Sequence, residues 1–214
     1  KAVISYSKAC DSQEWQYRTY LADWFREEEE LELSLMQLNR CLEYYRSENS
    51  LYEIASTCSH IASLLCELDR CPDSIEKLQE ARAIFKNEKE PALVGATDIE
   101  IARCFNHLED GVNAQAFAQK ALGVFDSTKN EVKRAQSYAQ LGRALNFLGE
   151  HEEALDNLNI AHEIVTGLAP VNFYAVYMIQ KAKIKALRAL GRGVEAEAIQ
   201  RRNSIINETL DWDD

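Results

Sequence analysis

The chain has 214 residues, 46% of them hydrophobic, which is ample for a buried core, and its eight Gly and three Pro leave little turn chemistry for an all-β fold. Its formal charge of -11 argues against general nucleic-acid binding, where affinity comes from Lys and Arg displacing counterions. No stretch approaches the roughly 18 uninterrupted apolar residues of a membrane span, so the expected protein is all-α, with neither nucleic acid nor membrane as a direct partner.

The predicted elements follow a step of 40 residues. Stepping back by that amount from Ile84 and Tyr44 lands on Ile4. Residues 1–10 therefore read either as the last turns of a helix from a preceding repeat or as an ordinary capping helix. Four hairpins follow at about 11–50, 51–90, 91–130 and 131–170. Their first helices share one phase: Leu21-Ala22-x2-Phe25, Ile61-Ala62-x2-Leu65-x2-Leu68, Ile101-Ala102-x2-Phe105-x2-Leu108 and Leu141-Gly142-x2-Leu145-x2-Leu148. The second helices repeat as Ser34, Leu38 and Cys41, then Ser74, Leu78 and Ala81, then Ala114, Ala118 and Ala121, then Ala154, Leu158 and Ala161. Apolar recurrence at three and four residues marks amphipathic helices, and small side chains recur where helices must touch closely.

Breaks inside the hairpins fall at Asp69-Arg70-Cys71 before Pro72, at Glu109-Asp110-Gly111 and at Gly149-Glu150. Longer connections between hairpins are expected at Ser47–Ser50, Asn87–Pro91, Asp126–Asn130 and Gly167–Pro170. Residues 171–214 form a degenerate fifth hairpin, in which Leu187, Leu190, Gly191 and Ala196 keep phase after a 42-residue step. Lys183, Gln200 and Asn203 replace apolar residues there, as expected of a C-terminal cap with a polar outer face.

Tyr138-x2-Leu141-Gly142-x2-Leu145, then Ala154-x3-Leu158-x2-Ala161, resembles the tetratricopeptide-repeat family, whose shorter unit reads W-x2-L-G-x2-Y, A-x3-F, A and a closing P. The step here is longer and the closing proline mostly absent, which resembles the long-repeat branch found in bacterial peptide-sensing regulators and in eukaryotic scaffolds. The resemblance implies a right-handed superhelical solenoid of antiparallel helix pairs, with first helices lining a concave groove that holds a protein or peptide.

If Leu141, Gly142 and Leu145 pack inward, then Ala139, Arg143 and Asn146 share a neighbouring stripe. Across the copies this gives the rows Asp23, Ser63, Arg103, Arg143, Lys185 and Arg26, Cys66, Asn106, Asn146, Arg188, with Thr19, Ser59, Ile99, Ala139 and Lys181 beside them. The candidate peptide-binding residues are accordingly Arg103, Asn106, Arg143, Asn146, Lys185 and Arg188. An amide grips a peptide backbone whatever its sequence, and Arg pairs with a carboxylate or phosphate, so the expected ligand is an extended peptide with acidic groups or a free carboxyl terminus. The lysines of the family's chaperone-tail clamp are missing from the matching places, which sets a chaperone adaptor aside.

The chain has no zinc-protease HExxH, phosphate-binding Gly-rich loop or GxSxG elbow, so no catalytic residue, cofactor or metal is expected. The six cysteines form no CxxC pair, and a reduced, cytoplasmic setting follows. His60, Cys66, Cys71, Cys104 and His107 match no ligand spacing, and helical cysteines read as small buried residues. The run Glu27–Glu30 reads as a solvated acidic surface, while Phe173, Tyr174 and Tyr177 read as a contact surface if exposed and as a core seal if not.

Residues 11–53 carry eleven Asp or Glu against four Arg, and residues 171–205 carry seven Lys or Arg against two Glu, which leaves head-to-tail self-association open. A scaffold that recruits a partner is the leading expectation. The alternative is a ligand- or peptide-sensing regulatory module controlling an effector domain absent from this chain.

Overall fold

The computed structural model describes the backbone of residues 2–210 and the side chains of residues 14–15 and 17–204. All regular structure among these residues is α-helical: α1 (Ala2–Glu27), α2 (Leu31–Ser47), α3 (Leu51–Glu67), α4 (Cys71–Asn87), α5 (Pro91–His107), α6 (Gly111–Phe125), α7 (Glu131–Leu148), α8 (His151–Gly167), α9 (Phe173–Ala189) and α10 (Gly193–Leu210). The chain divides into two compact units, one ending at Glu90 and the other beginning at Pro91. The first holds the pairs α1/α2 and α3/α4, and the second holds α5/α6, α7/α8 and α9/α10. Among the described residues no helix is long and apolar enough to cross a membrane.

A sharp left-handed residue punctuates the helices at even intervals: Glu29, Asn49, Asp69, Lys89, Glu109 and Gly149 all have positive φ. Each sits just past a helix end, and the next residue's N–H reaches back to close the last turn. Glu30 donates to the carbonyl of Phe25, Arg70 to Leu65, Asp110 to Phe105 and Glu150 to Leu145, at 2.7–3.0 Å. This satisfies carbonyls that a helix end would leave bare. The connections at residues 48–50 and 88–90 use this same short device, so the longer linkers expected there do not occur. Only residues 126–130 and 168–172 form longer links among the described residues. α1 also runs unbroken from Ala2 to Glu27, with no interruption near residue 10, and the segment has no Gly or Pro to end the helix.

The small-residue register occupies the contact between paired helices. Ala22, Ala62, Ala102 and Gly142 are buried on the first helices, as are Cys41, Ala81, Ala121 and Ala161 on the second. In the first unit a hydroxyl reinforces the approach: Ser34 Oγ donates to the Ala22 carbonyl at 2.7 Å, and Ser74 Oγ to the Ala62 carbonyl at 2.8 Å. In the second unit Gly142 does the same work by omission. A Cβ there would lie 2.6 Å from Leu158 Cγ and 2.9 Å from the Ala154 carbonyl oxygen.

The last hairpin shares a core with its neighbour, because Leu155 of α8 clusters with Ala186 and Leu187 of α9 and Ala196 of α10. Of the three polar positions expected on an exposed cap, Gln200 is exposed, Lys183 is half-buried and Asn203 is buried. α10 thus turns Asn203 inward, while Gln200 stays outside and accepts a hydrogen bond from Arg188 at 2.6 Å.

Candidate functional site

In the second unit the stripe of α5, α7 and α9 carries the predicted cations. Arg103 of α5 is tied to Glu100 one turn before it, with Nη2 2.7 Å from the carboxylate. Arg143 of α7 is half-buried, and its closest polar contact is Gln140 Oε1 at 3.5 Å. Among the described residues no carboxylate pairs with it. Burial, and then the like charge of Arg103, hold its guanidinium below the ordinary arginine value, while Tyr174 of α9 works the other way. Lys185 of α9 rests its Nζ 3.8 Å from the centre of the Phe147 ring, and Lys181 lies 5.7 Å from that of Tyr177. Of the three aromatics at the start of α9, Phe173 and Tyr174 are exposed and Tyr177 is half-buried.

The predicted amides lie deeper. Asn106 and Asn146 are buried, and each reaches forward to the next first helix: Asn106 Nδ2 donates to the Gln140 carbonyl at 2.9 Å, and Asn146 Nδ2 to the Ala182 carbonyl at 3.0 Å. Gln140 Oε1 also accepts from Asn106, and Asn146 Oδ1 lies 3.2 Å from His151 Nδ1. These amides therefore link successive hairpins. The structure brings Arg103 and Arg143 together, sets Lys185 over an aromatic ring, and turns Arg188 toward Gln200. Ile99, expected beside the groove, is buried with Ala121 and Phe125.

Residues 93–166 match the family described as tetratricopeptide repeat. The segment from residue 93 to residue 166 carries tetratricopeptide repeats. No curated protein matches the chain. Among solved structures, it is similar to a putative kinesin light chain with nearly identical TPR-like repeats from Podosopora anserina, with 16% identity, 91% of this chain and 95% of that one covered, and a TM-score of 0.70. It is likewise similar to the apo form of RapI, with 14% identity, 92% and 72% coverage and a TM-score of 0.77. A Rap protein complexed with competence and sporulation factor gives 16% identity, 91% and 57% coverage and a TM-score of 0.69. At these identities the likeness is one of fold.

A second polar cluster lies on α8 and α9. His162 Nε2 lies 3.2 Å from Gln180 Nε2, with Lys183 and Glu163 the charged groups acting on it. Burial, and then Lys183, hold the His162 pKa below its ordinary 6.5, against the smaller opposing pull of Glu163. The unfolded chain therefore takes up a proton here before the folded one does. Stability is complete above about pH 6.5, falls as pH drops below it, and levels off once the folded-state value is passed. Chemical denaturation across pH 4–8 should show this loss, and His162→Gln should shrink it.

Sequence reasoning missed the exposed aromatics of α1. Tyr17, Tyr20 and Trp24 stand outside the core, although Tyr17 and Trp24 share the phase of buried positions in later copies. The signal was available in the register: bulky aromatics occupy places that hold Thr57 and Leu64 in the second copy and Ser137 and Ala144 in the fourth.

Proposed function

We propose that the chain is a protein-binding repeat module whose second unit takes an extended peptide with acidic groups along α5, α7 and α9. The observation that carries this reading is Arg143: a half-buried guanidinium next to Arg103, with no carboxylate of its own among the described residues. An incoming carboxylate or phosphate relieves both the lost hydration and the like-charge repulsion. Lys181, Lys185 and Arg188 extend the positive row, and the exposed Phe173 and Tyr174 offer flat apolar anchors at its edge. Asn106 and Asn146 shape the site from beneath, since their amide nitrogens are already engaged with Gln140 and Ala182.

Fluorescence anisotropy with labelled Asp/Glu-rich peptides, each in free-carboxylate and amidated form, tests the proposal. Arg103→Glu/Arg143→Glu should weaken binding by about 2–5 kcal/mol, the range for losing a hydrogen-bonded charge pair. Unchanged affinity in that double variant removes the site. A regulatory, ligand-sensing module is the second reading, favoured by the fold shared with the Rap protein solved with competence and sporulation factor. A peptide-dependent change in hydrodynamic radius separates a sensing module from a passive scaffold.

A further inference from the structure

Two cysteines of the first unit meet across the turn between α3 and α4. Cys71 Sγ, on the first residue of α4, donates to Cys66 Sγ at 3.9 Å, and Cys66 Sγ donates in turn to Ser74 Oγ at 3.2 Å. Ser74 gives its own hydroxyl hydrogen to the Ala62 carbonyl at 2.8 Å, so the series of donors runs one way and ends on backbone. Cys71 is buried, as expected of a helical cysteine, but Cys66 is only half-buried and is open to a small solute.

The turn itself produces this meeting. Asp69 takes a positive φ, and Arg70 N–H reaches the Leu65 carbonyl at 2.7 Å, which folds the end of α3 back onto the start of α4. Two copies later the same places hold Asn146 and His151, whose side chains also meet, at 3.2 Å, across a turn closed by Glu150 and Leu145. Contact between these two places is thus a product of the hairpin. The corresponding pairs in the first and third copies are Arg26 with Leu31 and Asn106 with Gly111, so the second copy alone of the four puts two thiols there.

Cys41 and Cys58, in the same unit, lack this combination. Both are buried, and burial pushes both thiols up, that of Cys58 to about 12 with Glu80 adding to the effect. Thiols held in that form are poor nucleophiles.

We infer that Cys66 and Cys71 are a redox-active pair that a hydroperoxide oxidises to an intramolecular disulfide. The Cys66 sulfur attacks hydrogen peroxide, an S–O bond forms as the O–O bond breaks, and the thiol proton leaves with the released hydroxide as water. Cys71 then attacks the sulfenic acid: an S–S bond forms, the S–O bond breaks, and the Cys71 proton leaves with hydroxide as a second water. Two thiols lose two electrons and one peroxide takes them up. Because the sulfurs already touch, rotation of the half-buried Cys66 side chain brings them to bonding distance. The pair shares no residue with the peptide row of the second unit, so neither reading depends on the other.

The intact chain is treated with equimolar hydrogen peroxide under native conditions, then alkylated in denaturant and digested with trypsin, which cuts after Arg70 and so parts the two cysteines. Mass spectrometry should find the Cys66 and Cys71 peptides joined and lighter by two hydrogens, with Cys58 alkylated, and dithiothreitol before alkylation should separate them. This mapping decides the bond without any substitution. Cys71→Ala, which puts a small residue where the third copy has Gly111, should abolish the joined pair and leave Cys66 as a sulfenic acid that dimedone traps. Cys66→Ser should leave Cys71 fully alkylated. Three results overturn the inference. These are a joined pair that forms only in denaturant or not at all, Cys66 joined to a different cysteine, and Cys71→Ala folded by circular dichroism yet without a dimedone adduct on Cys66.

Discussion

Gly142→Ala lowers stability by about 1–3 kcal/mol, the usual cost of forcing a methyl into a packed contact. Helix propensity alone predicts the opposite sign, since replacing a mid-helix Gly by Ala gains about 0.5–1 kcal/mol. Geometry decides between them. The added carbon would stand 2.6 Å from Leu158 Cγ and 3.0 Å from Leu158 Cδ2, and also 2.9 Å from the Ala154 carbonyl oxygen. Leu158 is fully buried in a cluster with Ala135, Ala161, Val165, Val176 and Ile179, so its side chain has no empty space to turn into. The carbonyl is backbone, and moves only if α7 and α8 part.

Gly123, on the exposed side of α6, is the internal control. A Cβ there meets no atom within 4 Å, so Gly123→Ala should stabilise by about the propensity difference, 0.5–1 kcal/mol. Chemical denaturation of the two variants should therefore give shifts of opposite sign from one substitution type. In a double-mutant cycle, Leu158→Ala alone should cost about 2–5 kcal/mol, and the Gly142→Ala/Leu158→Ala variant should cost less than the two singles added. Additivity would mean that the Ala154 carbonyl, and not Leu158, carries the clash.

That contact shows why the architecture was readable from sequence. A period of 40 residues with Ala22, Ala62, Ala102 and Gly142 in one phase constrains packing directly, because only small side chains let paired helices approach so closely. The turns were less legible. Gly149 signals a left-handed residue, but Glu29, Lys89 and Glu109 adopt the same conformation with no sequence mark, held there by the backbone bonds that close each helix. Linkers at residues 48–50 and 88–90 were consequently read as longer than they are.

Within the candidate site, helical phase gave the stripe of Arg103 and Arg143 but not its depth. Positions three residues apart differ by about 60° around a helix, enough for Arg103 to reach the surface while Asn106 turns under the next hairpin. The α1 aromatics escaped notice for a related reason. An aromatic in an apolar phase reads as core, and only the exposures in the structure show otherwise.

Asn146→Ala should cost about 1–3 kcal/mol, and Asn106→Ala distinctly less, although the two residues occupy the same place in successive copies. Both are buried, and both link a first helix to the next through an amide N–H to a backbone carbonyl. They differ at the oxygen. Asn146 Oδ1 meets His151 Nδ1 at 3.2 Å, so truncation removes a side chain whose oxygen and nitrogen both have partners. Asn106 Oδ1 is buried with no hydrogen-bond partner among the described residues. The folded state already bears the cost of that dry oxygen, and removing it offsets part of the loss of the bonds to Gln140.

Denaturation midpoints at constant slope measure the difference. Peptide affinity measured on the same two variants reads the other role expected of these amides. If they only join hairpins, Asn106→Ala keeps its affinity for the acidic peptides that Arg103→Glu/Arg143→Glu loses. A tenfold loss in Asn106→Ala, without a matching loss of stability, would instead mean that its unpaired oxygen turns to the peptide backbone when the groove fills.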